Sequence, residues 1–295
     1  MSFIASLLLL GQVGPGPMLH LPTGLEDRKR PERAAPAAAP APTPAPVVPQ
    51  ARTPLEECLS AVDSDPPGAV DIAEAWLAQA KGAATAPAQF CLGSANAALD
   101  RWDQAETAFL AGRDAAAAAD ARLRGQLGAM AGTMALAQGE PARALTELDQ
   151  AHTDALTATD AQLGGDISVD RSRALVALKR EDDAAKALTE ARTASPSNPE
   201  GWLLSATLSR RQKNLTAAQT QIETAAQLAP LDPEIGLEAG VIAVLSGREE
   251  AARRSWQSVL TAGPGTEAAK TATSYLAQLD SGAKPVPAAP KVPAK

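Results

Sequence analysis

Residues 199–232 read PEGWLLSATLSRRQKNLTAAQTQIETAAQLAPLD, and the stretches on either side rhyme with them. Pro196, Pro230 and Pro264 stand 34 residues apart, as do Ala184, Ala218 and Ala252; Leu188, Ile222 and Trp256; and Ala191, Ala225 and Val259. Ahead of them, Ser172, Ala206 and Gly240 form a column of small residues with the same period. Small residues recur where two helices would cross closely, and large apolar ones recur where a core must be filled. Self-similarity at a fixed period of this length is the signature of a solenoid: each unit is too small to bury its own apolar face, and stacking supplies the core. Four aligned columns over three units set the pattern apart from chance periodicity in a helical bundle.

The columns resemble the tetratricopeptide repeat, a family with this 34-residue period. Trp202 matches the family's first-helix tryptophan and Ala206 its small residue four further on, while Ala218, Ile222, Ala225 and Pro230 match its second helix and terminal proline. The unit from Pro233 to Thr266 keeps Gly240, Gly247, Ala252, Trp256 and Pro264 but has Gly236 at the tryptophan position. The unit from Gly165 to Asn198 keeps Ala184, Leu188, Ala191 and Pro196 and carries Arg171 and Ser172 where Leu-Gly is usual. Looser units are marked by Gly132, Gly139, Ala144, Leu148 and Ala151, and by Gly93, Ala105, Phe109 and Gly112. There the alanine spacing grows to 39 (Ala105 to Ala144) and 40 (Ala144 to Ala184). The run Ala115 to Ala119 favours helix, so the extra residues are expected to lengthen helices, with a break at Gly164-Gly165. A further helix pair is expected near Pro54–Asp63 and Pro67–Lys81. Thr266 to Leu279 reads as one unpartnered helix with a polar outer face, the cap a solenoid requires. The resemblance implies an all-α fold, a tetratricopeptide-like α-α superhelical solenoid with a C-terminal capping helix.

Composition sets the domain limits. Residues 34–54 are almost wholly Ala, Pro, Thr, Val, Gln and Arg, and residues 283–295 are Ala, Pro, Lys and Val. Such stretches cannot fill a core. The expected organisation is therefore a signal-like apolar segment at 1–16, a Pro/Ala-rich disordered linker at 17–53, the repeat domain at 54–282 and a disordered tail at 283–295. Net charge is −7, divided into +2 over residues 1–54, +3 over 281–295 and −12 between. An acidic body lacks the clustered basic face that nucleic acid requires. Phe3, Ile4 and Leu7–Leu10 form about ten apolar residues, too few to span a bilayer and of the length of a signal-peptide core. No Lys or Arg precedes them and no Ala-x-Ala site follows, which leaves a mis-assigned start or a short apolar arm as alternatives. The expected location is periplasmic or exported, on the outer side of a bacterial inner membrane; the alternative is cytoplasmic. Cys58 and Cys91, the two cysteines, should lie on first helices of adjacent units. A disulfide is open to them if their Cα atoms come within about 4.4–6.8 Å; otherwise they are two small buried hydrophobes.

Constellations that carry chemistry are not found. His20 and His152 are distant from each other and from a cysteine pair, so no zinc site is expected. Gly-Pro-Gly at 14–16 is not followed by Gly-Lys-Ser/Thr, and Gly-x-Ser-x-Gly does not occur. No cofactor, metal or catalytic residue is expected, and the chain reads as a binding protein and not an enzyme. In the family, first-helix positions line a concave groove. Carried over, these are Phe90, Ser94 and Ala97; Ala129, Thr133 and Leu136; Val169, Arg173 and Val176; Leu203, Thr207, Arg210 and Arg211; and Leu237, Val241 and Val244. Val169 and Leu203 replace the lysine with which some members clamp a C-terminal carboxylate. The groove reads as apolar with arginines near its middle, suited to an amphipathic helix or an extended apolar peptide with an acidic flank. The partners expected are thus other proteins, with no nucleic acid and no small-molecule cofactor. The rival readings are a structural envelope protein that self-associates through an open end of the array, as a homo-oligomer, and an enzyme with an unrecognised site.

Overall fold

The computed structural model describes residues 52–282. The expectations for residues 1–16 and 283–295, and for 17–53 save its last two residues, lie outside them. Within them the chain forms six helical hairpins and a last single helix. The hairpins are α1 (Pro54–Ser64) with α2 (Pro66–Leu77), α3 (Ala86–Ala98) with α4 (Trp102–Ala115), and α5 (Ala121–Ala137) with α6 (Pro141–Thr157). Then come α7 (Ala161–Ala177) with α8 (Glu181–Ala194), α9 (Pro199–Arg211) with α10 (Leu215–Leu228), α11 (Pro233–Leu245) with α12 (Glu249–Ala262), and α13 (Glu267–Asp280). A 3-10 turn, Gly82–Thr85, joins the first two hairpins, and no strand occurs among the described residues. Each helix packs on its neighbours in sequence. First helices also touch the next first helix, in the pairs α1–α3, α5–α7, α7–α9, α9–α11 and α11–α13.

Local chemistry marks the ends of the helices. Side chains of Thr53, Asp65, Asp120, Asp160, Asn198, Asn214, Asp232 and Thr266 accept a backbone N–H from the first turn that follows, each contributing about 1 kcal/mol. Thr53 and Glu56 complete a capping box. The turn after each first helix from α3 to α11 places one residue at positive φ: Asp100, Gly139, Lys179, Lys213 and Gly247. Trp202 donates from Nε1 to the Pro196 carbonyl at 2.9 Å, tying α9 to the loop before it.

Packing repeats with the sequence. The second-helix alanines Ala105, Ala144, Ala184, Ala218 and Ala252 are all at 0% exposure, so the alanine column faces the core. Sixteen residues separate each small first-helix residue from the large second-helix residue over it: Gly93 and Phe109, Gly132 and Leu148, Ser172 and Leu188, Ala206 and Ile222, Gly240 and Trp256. A Cβ on Gly93 would lie 2.5 Å from the Phe109 ring, one on Gly132 2.6 Å from Leu148 Cγ, and one on Gly240 2.1 Å from Trp256 Nε1. Glycine stands under both aromatic rings and under Leu148, because in each case the side chain above occupies the space a methyl would take.

Two expectations about the longer units are corrected. Ala115–Ala119 does not extend a helix: α4 stops at Ala115 and α5 starts at Ala121. Arg124 donates to the carbonyls of Ala117 and Ala118, and Asp120 caps α5, so these groups serve a turn in place of a helix. Asp154 on α6 fixes that arrangement by holding Arg124 at 3.1 Å and Arg113 at 3.4 Å. The remaining extra residues lengthen helices: α5, α6 and α7 have 17 residues each against 13 or 14 in α9 to α12. Gly164 and Gly165 do not break the chain but sit inside α7. Gly165 is needed for close approach, since a Cβ there would lie 2.9 Å from Ser195 Cβ. The break falls earlier, at Thr159, with φ of 53°.

One acidic pair gives the fold a pH dependence. Glu106 on α4 is buried and held by Arg143 at 2.9 Å and by Gln138. On α6, Glu147 has its Oε2 buried without a hydrogen-bond partner. Burial first, and the neighbouring Glu106 second, push the Glu147 carboxyl up to about 7. In the folded chain it therefore holds a proton, which it can donate to Glu106, through a range where the unfolded chain has lost it. Stability from this proton is complete below the ordinary carboxylate range and is lost as pH rises toward 7. Discounting for partial solvent access, the melting temperature is expected to fall by about 2–4 °C between pH 5 and 8. In Glu147→Gln most of that fall should vanish; an unchanged slope in thermal unfolding followed by circular dichroism would refute the assignment.

Candidate binding surface

The residues carried over to the groove divide into three groups. Val169 and Val241 are buried, at 2% and 6% exposure, so they belong to the packing between helices and not to a groove lining. Phe90, Leu136, Val176, Leu203, Leu237 and Val244 are half-buried, each with one side on a core cluster. Phe90 leans on Phe109, ring centroids 6.5 Å apart. Polar positions make up the third group, with Ser94, Thr133 and Thr207 partly accessible. Thr133 gives its hydroxyl to the Ala129 carbonyl at 3.0 Å and lies 3.5 Å from Asp170.

Each of the three arginines has a carboxylate partner within the chain. Arg173 binds Asp170 on its own helix and Glu200 on α9. Arg210 forks onto the Glu238 carboxylate of α11 at 2.6 and 3.2 Å, both side chains being 13% exposed. Arg211 turns away to Glu181 on α8, at 2.6 Å. Arg173 and Arg210 therefore act as ties between successive first helices, α7 to α9 and α9 to α11. They also leave the face with an excess of carboxylates. Asp166, Asp170, Glu200, Glu234 and Glu238 stand against Arg173 and Arg210, a net charge of −3. Burial raises the Asp170 carboxyl, and burial and Asp232 raise that of Glu234. An acidic flank on a ligand would be repelled here. Asp166, Glu200 and Glu234 are themselves one period apart, a signal that was available in the sequence beside the arginines.

Where Arg171 replaces the usual apolar residue, ion pairs replace core packing. It bridges Asp149 on α6 at 2.8 Å and Glu190 on α8 at 3.3 Å, and His152 Nε2 lies 2.7 Å from the same Glu190. Arg171, Asp149 and Glu190 border a cavity of about 220 Å³ with Leu175 and Ala187. At the other end of the array, Cys58 on α1 and Cys91 on α3 are buried and disulfide-bonded, with Cα atoms 6.2 Å apart. No group of three or more metal-binding side chains, and no helix long and apolar enough to cross a membrane, occurs among the described residues.

No protein-family model matches the sequence, and no curated protein matches it. Solved structures do match the fold. PilF of Pseudomonas aeruginosa superposes with a TM-score of 0.61 at 14% identity, covering 76% of this chain and 96% of its own. PilW, a widely conserved type IV pilus biogenesis factor, gives 0.61 at 16% identity, covering 75% and 96%. A tetratricopeptide repeat protein from Parabacteroides merdae gives 0.60 at 13% identity, covering 78% and 87%. Hairpin order, the buried alanine column and these superpositions agree: the chain folds as an all-α, tetratricopeptide-like solenoid of helical hairpins.

Proposed function

We propose that this chain is a protein-binding scaffold of the cell envelope, whose first-helix face takes a short segment of another protein. The observation that carries the reading is a repeated surface. Half-buried Leu136, Val176, Leu203, Leu237 and Val244 recur from helix to helix beside a row rich in carboxylates. Such a face suits an apolar or amphipathic segment flanked by lysine or arginine. The ties from Arg173 to Glu200 and from Arg210 to Glu238 hold neighbouring first helices in place before a ligand arrives, which lowers the ordering cost of binding. Binding needs no chemical step at this face, so the role is that of an adaptor and not of an enzyme. Three observations support the envelope: the Leu7–Leu10 run, a buried disulfide of the kind that persists in oxidising compartments, and the pilus role of the similarly folded PilW.

The test is photo-crosslinking in the native host. A photoreactive residue at Leu203 or Val244 is expected to yield a discrete adduct with another protein, whereas one at Glu223, exposed on second helix α10, yields none. Leu237→Asp should abolish the adduct. Equal adducts from both faces, or none from the first-helix face, would end the reading.

A further inference from the structure

We infer that the cleft between α2 and α4 is a second binding site, which takes a short extended peptide strand, aliphatic in its middle and basic at one end. Both helices pack on α3 and leave between them a cavity of about 480 Å³, within the ~300–1,000 Å³ range of ligand pockets. The α3 side of the cavity carries Gln89, Leu92 and Asn96, spaced by three and four residues and so aligned in one row. Phe90, Ser94 and Ala97, carried over to the first-helix groove, lie on another face of α3, so the cleft stands apart from that groove. Asn96 is the informative member, with only 5% of it exposed. Its Nδ2 donates to the Leu92 carbonyl at 3.0 Å, while its Oδ1 accepts no hydrogen bond among the described residues. Buried polar groups are as a rule hydrogen-bonded, and the buried acids Glu106 and Asp154 are met by arginines. An amide oxygen left over on the wall of an open cavity is an acceptor kept for a ligand.

The polar groups of the cleft select the ligand. Glu74, Gln89, Arg101, Asp103 and Gln104 also line it, and their side chains make no hydrogen bond or ion pair among the described residues. The charges around the cavity beside Arg171, by contrast, pair with one another. A side-chain amide offers both a donor and an acceptor, the complement of a peptide group. Gln89 and Asn96 are two turns apart, ~10 Å along α3, a distance that an extended chain covers in about three residues at ~3.3 Å each. The ligand side chain between them would rest on Leu92, with Val70 and Ala108 beside it. No aromatic ring lines the cleft, so the branched side chain of valine or leucine suits it better than the flat face of a sugar or a base. Glu74 and Asp103 outnumber Arg101, which favours a lysine next to the aliphatic residue over a glutamate.

Titration of full-length, methyl-labelled protein with acetyl-Ala-Val-Ala-Lys-amide, followed by NMR, tests this. The methyl signals of Leu92, Val70 and Ala108 are expected to shift along one saturating curve, with a dissociation constant on the order of a millimolar. Those of Leu203 and Val244 on the first-helix face should stay still. Methylating the probe's peptide nitrogens removes its donors and keeps its side chains, and should weaken binding by about fivefold. Exchanging its lysine for glutamate should weaken it by about threefold. Asn96→Leu should weaken the parent probe by about fivefold and leave the methylated probe unaffected; the methylated probe makes the same comparison on unaltered protein if the variant folds poorly. Unmoved Leu92 methyls at probe concentrations well above that constant, equal affinity for the methylated probe, or tighter binding of N-acetylglucosamine than of the peptide would overturn the inference. Shifts confined to Leu203 and Val244 would assign the peptide to the first-helix face and remove the cleft as a site.

Discussion

Gly240→Ala is expected to destabilise the C-terminal hairpin by about 3 kcal/mol, although alanine is the better helix former by about 1 kcal/mol. The added Cβ would stand 2.1 Å from Trp256 Nε1 and 2.5 Å from two ring carbons. The indole cannot yield cheaply. It is fully buried, packs with its ring tilted against Tyr275 of the capping helix at 5.0 Å, and donates to the Leu237 carbonyl at 3.1 Å. Overpacking costs about 1–3 kcal/mol, and losing the hydrogen bond about 1 more. The neighbouring hairpin shows the remedy, since Ala206 lies under Ile222 in the same register. Trp256→Ile alone should cost about 2–4 kcal/mol through the cavity it leaves. In that background Gly240→Ala should be neutral or stabilising. Urea unfolding of the two single variants and the double variant measures the coupling; additive effects would show that the two positions do not share one space.

That pairing explains what the sequence could and could not convey. Columns of alanine, proline and large apolar residues were legible because a repeat imposes the same packing problem five times, and hairpin boundaries followed from them. Gly164-Gly165 misled because glycine serves both to break helices and to let them approach, and only the position of Ser195 reveals which. Ala115–Ala119 misled because helix propensity is a weak preference, overridden by the carbonyls Arg124 claims and by Asp154, thirty residues distant. The repeat register placed the carried-over residues on first helices. It could not tell that Val169 and Val241 point into the packing, nor that the arginines are neutralised by carboxylates one helix away. Charge on such a face is a property of neighbours across the array, so the acids at positions 166, 200 and 234 had to be read together with Arg173 and Arg210.

Removing the disulfide, by Cys58→Ala with Cys91→Ala or by reduction, is expected to cost the N-terminal end of the array about 3–4 kcal/mol. The bridge closes a loop of 33 residues, and loop-closure entropy of that length corresponds to about this figure. The effect should stay local. Around the bridge the fully packed residues are Cys58, Ala73 and Cys91, with Leu55, Leu59, Val62, Ile72 and Leu92 only partly covered. The hairpins from α5 to α8 instead share a contiguous core built on Leu145, Leu148, Ile167, Leu175 and Leu188. In a solenoid each unit is stabilised by its own packing and by its neighbours, so α1 and α2, whose neighbours among the described residues lie on one side and which are poor in large apolar residues, depend heavily on the bridge. Hydrogen exchange should therefore quicken in α1 and α2 on reduction while α5 to α12 keep their protection, and thermal unfolding should acquire an early phase. Uniform loss of protection along the array would mean that the bridge supports the whole solenoid; unchanged protection would mean that packing alone holds the first hairpin. The same experiment bears on location, because a hairpin that depends on a disulfide is stable only where thiols are kept oxidised.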